Sequence, residues 1–375
     1  MCRNKENNIQ IIAFYLPQYH PIPENDNWYG KDFTEWTNVS KSKPYFKDHY
    51  QPIIPSDLGY YDLRNPEVRE QQANFGKEAG IAAFCYYHYW FGNRKQLLEL
   101  PLNEVVRTGK PDFPFCIVWA NHSWHKKMWD SEKSILNREL LIKQEYPGEE
   151  DIVDHFYTLL PVFQDKRYYK IHRKLVFVFY KVEDIPDLEF FKTKWQQLAV
   201  QNNLPEFFFI SYSDEAFRIS KKCHLKCDAT ILSLNTDAVS KGKKMLRIFY
   251  RAFLSILSVQ LNKPLHVYSY SKIIKRLNSP LFKDERIFPV IIPNWDNTAR
   301  RGTGAFIFHN STPELFKIHI QSVFKLIMHK KHENKIVFLK SWNEWGEGNY
   351  MEPDSKNGKG YIYALREALD EFRTM

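Results

Sequence analysis

Two carboxylates three residues apart, Glu344 and Glu347, sit among indoles and glycines in the run Lys340-Ser341-Trp342-Asn343-Glu344-Trp345-Gly346-Glu347-Gly348. The apolar stretch Ile336-Val337-Phe338-Leu339 empties directly into it. Carboxylate pairs do acid and base work on glycosidic bonds. An indole stacks on the apolar face of a pyranose and still offers an N–H to a hydroxyl. Glutamate usually belongs to a solvated loop, but such a loop seldom carries two indoles, here Trp342 and Trp345, beside its acids. The chemistry these residue types suit is that of sugars.

Acids on a loop need a scaffold to hold them. Short runs rich in β-branched and aromatic residues recur at 9–15, 81–87, 115–119, 175–180, 207–211, 229–232, 288–292 and 336–339. Stretches of helical character lie near 66–79, 95–107, 149–165, 188–202, 212–223, 269–278, 313–331 and 358–373, with Pro66 and Pro313 at first-turn positions where a missing N–H costs nothing. Eight strands alternating with eight helices predict an α/β chain of a single (β/α)8 TIM barrel with elaborated loops at its C-terminal face. The residues just past the strands agree, because barrel enzymes build their sites there. The first run ends in Tyr15, Gln18 and His20, the second in Tyr87, His88 and Trp90, and the third in Trp119, Asn121, His122 and Trp124. The seventh ends in Trp295 and Asp296, and the eighth in the glutamate pair with Trp342, Asn343 and Trp345. All are candidates to line a sugar cleft.

Composition bounds the rest. In 375 residues, 43% are hydrophobic and 16% aromatic, enough for a large core with aromatic side chains to spare for a cleft. The N-terminus is polar and shows no signal-peptide core, and no apolar run reaches the length of a membrane span. The expectation is a cytoplasmic protein. Five cysteines make a poor disulfide framework, and Cys85 and Cys116 read as small core residues. Cys223-His224-Leu225-Lys226-Cys227 lacks a second ligand cluster, so neither a metal nor any other cofactor is expected.

Residues 1–375 read as one catalytic domain with two excursions. The loop at 21–65 carries Glu35 and Trp36 and should cover the barrel mouth. A basic helical insertion spans about 238–276. From Lys241 to Arg276 there are nine basic residues and no acidic one, equal to the whole net charge of +9. Lys243, Arg247 and Arg251 recur every four residues on one helical face. A helix packed on the barrel with a hydrated basic face is the simpler reading. Peripheral contact with an anionic inner-membrane surface is the alternative. Nucleic acid is not expected, because the block matches no reader module.

The run from Asn343 to Pro353 resembles the Asn-Glu-Trp-x-Glu-Gly-x-x-x-Glu-Pro signature of glycoside hydrolase family 99 and the related WbsX-like proteins of bacterial surface-polysaccharide gene clusters. The likeness to the WbsX-like branch continues through 14–26, 30–39, 49–52, 57–64, 88–91 and 295–302, nearly the whole chain. The resemblance implies a (β/α)8 barrel acting on α-mannosides with retention, through a 1,2-anhydro sugar. By motif position Glu344 would be the base at the sugar 2-hydroxyl and Glu347 the general acid, with Glu352 closing the signature. The pattern breaks at two positions. His122 stands where the family often has an acid, which suits a different, anionic glycan, and Gly346 stands where family 99 hydrolases often have histidine.

Three functions are compatible with these residues. The first is a retaining hydrolase or transglycosylase cleaving or transferring a mannoside-like linkage in lipopolysaccharide O-antigen or capsule biosynthesis, its partner an oligosaccharide or polysaccharide. The second is a glycosyltransferase on a lipid-linked glycan, with Arg300 and Arg301 meeting a phosphate or, equally, serving in surface ion pairs. The third is a non-catalytic glycan-binding barrel, against which the intact acid pair argues.

Overall fold

The computed structural model describes residues 8–126, 139–220, 222–234, 253–254, 256–258 and 260–374. Eight parallel strands close on themselves: β1 (Gln10–Tyr15), β2 (Ala83–Trp90), β3 (Phe115–Trp119), β4 (Lys174–Phe179), β5 (Phe207–Ser213), β6 (Ala229–Leu232), β7 (Ile287–Ile291) and β8 (Ile336–Leu339). Each pairs with its sequence neighbour, and β1 pairs with both β2 and β8, which makes the sheet a barrel. The eight predicted strands are all present.

The major outer helices are α1 (Pro66–Ala79), α2 (Leu100–Thr108), α3 (Glu149–Phe163), α4 (Leu188–Gln201), α5 (Pro313–Ile327) and α6 (Gly360–Arg373). Their starts are encoded locally. Asn65, Asp187 and Thr312 each accept a hydrogen bond from a first-turn N–H of α1, α4 and α5, and Pro66 and Pro313 follow their caps. Three predicted helices come out shorter. The one near 95–107 begins at Leu100, because Gln96–Leu97 pairs with the end of β2 and Pro101 favours the first turn. That at 212–223 is a 3-10 turn, Ala216–Ser220, and one helical turn, Lys222–Leu225, since β5 runs on to Ser213. That at 269–278 is Tyr270–Ile273. It follows His266–Ser269, which pairs in parallel with Phe306–His309 in a small sheet outside the barrel that the pattern of runs did not reveal.

Both faces of the barrel wall are buried, as in other parallel sheets. Phe14 shows the inward face. Its ring meets Tyr87 of β2, Phe338 of β8 and Tyr212 of β5, and only a side chain in the bore can touch strands so far around the cylinder. Its neighbour Tyr15 points the other way, onto Gln72 of α1. Between the wall and α3 and α4, an aromatic layer of Phe156, Phe163, Phe177, Trp195 and Phe207 fills the space.

The excursion at 21–65 is ordered by two short helices, Pro23–Tyr29 and Glu35–Val39, the second held by a capping box at Thr34. Ser56 N–H donates to Pro353 O, tying the excursion to the chain beyond β8. Lys241, Lys243, Lys244, Arg247 and Arg251 lie outside the described residues, and so does the expected basic helical face. Among the described residues, no helix is long and apolar enough to cross a membrane.

Candidate active site

Past Leu339 the chain turns through Lys340 and Ser341 into a small hairpin, Asn343–Glu344 against Asn349–Tyr350, with a 3-10 turn at Trp345–Glu347. Backbone and amide bonds fasten this hairpin to two strand ends. Asn343 accepts from Leu16 N–H at 2.7 Å and donates to Leu16 O at 3.0 Å, beyond β1. Asn349 donates to Asn294 O and Tyr350 N–H to Asn294 Oδ1, beyond β7. Asp296 N–H donates to Glu347 O at 2.9 Å. Gly348 lets the chain come this close. Its φ of +53° is left-handed, and a Cβ there would collide with the backbone of Asp296. Asp296 is itself clamped, accepting from His49 and Gln51 at 2.8 Å each.

This turn aims both acids at Arg300. Arg300 Nη1 donates to Glu344 Oε1 at 2.9 Å and pairs with Glu347 Oε1 at 2.8 Å. Its other two nitrogens grip Glu35, Nε to Oε2 at 3.1 Å and Nη2 to Oε1 at 3.0 Å. One buried guanidinium thus serves three carboxylates. Ser341 Oγ donates to Glu344 Oε2 at 3.1 Å. Burial, and after it the charge of Glu347, push the Glu344 carboxyl above the usual carboxylate range, against the pull of Arg300 and Lys340. The Glu344 side chain is 9% exposed, whereas that of Glu347 keeps 22% of its surface open. Glu344 also helps burial raise Tyr87 and Tyr89 of β2, so its charge is felt across the barrel mouth.

Around the acids the mouth is also aromatic and basic. Tyr180 and Tyr212 stack at 4.8 Å between centroids. Lys340 Nζ lies 3.4 Å from Tyr212 Oη and 4.9 Å from the centre of the Trp295 ring. Lys181 Nζ lies 5.8 Å from the Tyr180 ring, and the His122 ring 5.6 Å from it. Gln18 donates to Tyr89 Oη, and Trp124 packs edge-on against Tyr89.

The structure divides the residues expected in the cleft. It brings Glu344, Glu347, Glu35, Arg300, Tyr87, Gln18, His122, Trp124 and Trp295 around the mouth. The others stand behind it. Tyr15 faces α1, and His88, Trp90 and Trp119 face α3, where His88 and His155 share a 2.9 Å Nε2–Nε2 contact and Trp90 stacks on His155. The pleat explains this correction: successive side chains of a strand leave on opposite faces. Phe14, Tyr87 and Tyr89 face the bore, so Tyr15, His88 and Trp90 cannot. Trp342 is buried against Phe84, His20 is buried with its pKa lowered by that burial, and Asn121 clamps the backbone of Lys181. Asn343 and Trp345 belong to the hairpin and its turn, which Trp36, Asp296 and Glu352 brace through contacts with Trp345 and Glu347. Glu352 accepts from Trp345 Nε1 and Gln72 Nε2 at 2.6 Å each and from Tyr61 Oη at 2.9 Å, while burial pushes its carboxyl up to about 7.

Arg300 is neither a phosphate ligand in waiting nor half of a surface ion pair. It is buried and all three of its guanidinium nitrogens are engaged by carboxylates, whereas Arg301 is exposed. Lys340, Tyr180 and Tyr212 join the mouth without having been singled out by the sequence. Lys340 and Tyr180 each stand one residue past a strand, the same position that marks the other candidates. Among the described residues no group of three or more His, Cys, Asp or Glu is arranged to hold a metal ion.

A family model described as Glycosyltransferase WbsX matches residues 11–365. Two proteins named WxcX, from Xanthomonas campestris pv. campestris strains B100 and ATCC 33913, are 30% identical over 363 residues, 96% of this chain. The chain spans about half, 49%, of the length of these curated relatives. Among solved structures, a GH99 endo-α-mannosidase from Bacteroides thetaiotaomicron superposes with a TM-score of 0.56 at 13% identity, covering 97% of both chains. A glycoside hydrolase-like protein gives 0.58 at 16% identity, covering 96% of this chain and 94% of its own. At such identities the likeness establishes the (β/α)8 fold.

Proposed function

Because the chain belongs to the WbsX glycosyltransferase family, we propose that it is a carbohydrate-active enzyme that breaks or transfers an α-glycosidic, mannoside-like bond with Glu344 and Glu347. The observation that carries the reading is the contact of both carboxylates with one nitrogen of Arg300, at 2.9 and 2.8 Å. That bridge keeps their nearest oxygens closer than the roughly 6.5–9.5 Å that inverting pairs leave for a water, which supports retention.

In this mechanism Glu344 takes the proton of the sugar 2-hydroxyl as that oxygen attacks the anomeric carbon. Glu347, the more open acid, gives its proton to the departing oxygen. Water or an acceptor hydroxyl then opens the 1,2-anhydro ring, losing its proton to Glu347 while Glu344 returns one to O2. Two carboxylates so close titrate as a pair, so one can be charged while the other is protonated. Burial and the charge of Glu347 raise the Glu344 carboxyl, which makes it a stronger base than an ordinary carboxylate.

The family description favours transfer over hydrolysis as the physiological outcome, with an acceptor hydroxyl in place of water. The setting we favour is assembly of a surface polysaccharide, O-antigen or capsule, on a free or lipid-linked glycan. The test is incubation of the full chain with α-linked manno-oligosaccharides, with and without a nucleotide sugar, followed by anomeric NMR signals. Retained-anomer product without the nucleotide supports the pair mechanism. Turnover only with the nucleotide supports a nucleotide-dependent transferase. Glycan binding with neither product overturns the catalytic reading in favour of a binding barrel.

A further inference from the structure

The mouth also carries basic groups that take no step in the mechanism above. Three carboxylates share Arg300, and Lys340 forms no ion pair among the described residues although it is only 5% exposed. An ammonium carries three N–H donors and no acceptor. Here the one hydrogen bond is long, 3.4 Å to Tyr212 Oη; the ring faces of Trp295 at 4.9 Å and Tyr212 at 5.6 Å adjoin it, and Glu347 and Glu344 act on its charge only from beyond ion-pair distance. Ring faces stabilise a cation but do not satisfy its donors. Tyr212, Tyr180, Glu347 and Glu344 hold this charge against its burial, but N–H donors left without acceptors still cost free energy that an incoming acceptor recovers.

The neighbours limit what that acceptor can be. Tyr180 and Tyr212 stack face to face, Tyr180 being the more exposed of the two, and Lys181 Nζ lies 5.8 Å from the Tyr180 ring centre. The stack thus has an ammonium near each ring, and neither ammonium is in an ion pair among the described residues. We propose that Lys340 and Lys181, around the Tyr180–Tyr212 stack, form a subsite for an anionic oxygen group of the glycan, a sugar carboxylate or a sugar phosphate. Lys340 is then a residue that selects acidic over neutral substrates. The inference rests on the glycan-binding reading and gives it a substrate class.

The source of the anion separates in titrations of the full chain followed by saturation-transfer NMR. The probes are glucuronate, its methyl ester, glucose and glucose 1-phosphate. Glucuronate should bind about ten-fold or more tightly than its ester, which has the same shape without the charge. A larger gain for glucose 1-phosphate identifies phosphate as the group instead. In Lys340→Met the preference for the charged probe should vanish while glucose still binds, and Lys340→Arg should restore part of it. The ester comparison needs no variant, so a misfolded substitution leaves the test intact. Equal binding of acid, phosphate, ester and glucose overturns the subsite alone. No binding of any of the four also overturns the subsite, while turnover of the manno-oligosaccharides tests the glycan-binding reading separately.

Discussion

Arg300 grips Glu35 at two points, 3.0 and 3.1 Å, across 265 positions of sequence, and this pairing aims its remaining nitrogen between Glu344 and Glu347. Glu35 positions the arginine, and the arginine positions the acids.

Removing the guanidinium leaves three carboxylates facing one another in a poorly hydrated site. Breaking a buried pair costs about 3–5 kcal/mol, so Arg300→Met should lose stability of that order at neutral pH, read as a fall in the urea midpoint. Arg300→Lys should recover little, because an ammonium cannot make the forked contact. A midpoint unchanged in both variants would show that the carboxylates are balanced in some other way.

Gly346 is required by the same pairing. A Cβ at this position would sit 2.8 Å from Arg300 Nε and closer still to Glu35 Oε2, both held from several sides. Gly346→Ala should therefore displace the Glu35–Arg300 pair, lowering turnover by more than ten-fold and the melting temperature by several degrees. The paired measurements are steady-state kinetics and calorimetry; wild-type values in both would remove the steric argument.

Glu347→Gln keeps the shape of the turn and removes its proton donor. Loss of a general acid costs on the order of 10²–10⁴ in rate, while glycan affinity should hardly move. Glu344→Gln should be equally slow for a different reason, since the 2-hydroxyl keeps its proton. Turnover within two-fold of wild type in either variant would contradict the assigned role.

Glu352 predicts a pH dependence of stability. Its folded pKa of about 7 lies above the ordinary carboxyl value of 4.5. The folded state thus holds this proton where the unfolded chain has lost it. Its contribution is full below about pH 4.5 and is lost as pH rises toward 7, a change of about 3 kcal/mol at 1.36 kcal/mol per unit. Calorimetry of Glu352→Gln against wild type from pH 5 to 8 should show a flatter decline in the variant. Parallel curves would mean that the three donors to Glu352 hold it ionised throughout.

The barrel was legible in the sequence because its information is local. Apolar runs, cap residues and the prolines after them state where strands and helices begin, and the polar runs after the strands mark the functional end. The glutamate pair was legible for the same reason, lying in one short turn. The division of those runs between cleft and core was not. Phe14 and Tyr15 are both aromatic and both buried, and a strand covered on two faces carries no alternation of polarity to say which side chain enters the bore. The closed cylinder decided that, and tertiary structure also decided the pairing of Glu35 with Arg300 and the placing of Lys340 beside Tyr212 and Trp295. Each depends on which distant segments meet, and the energy of a buried charge depends on those meetings rather than on its neighbours in the chain.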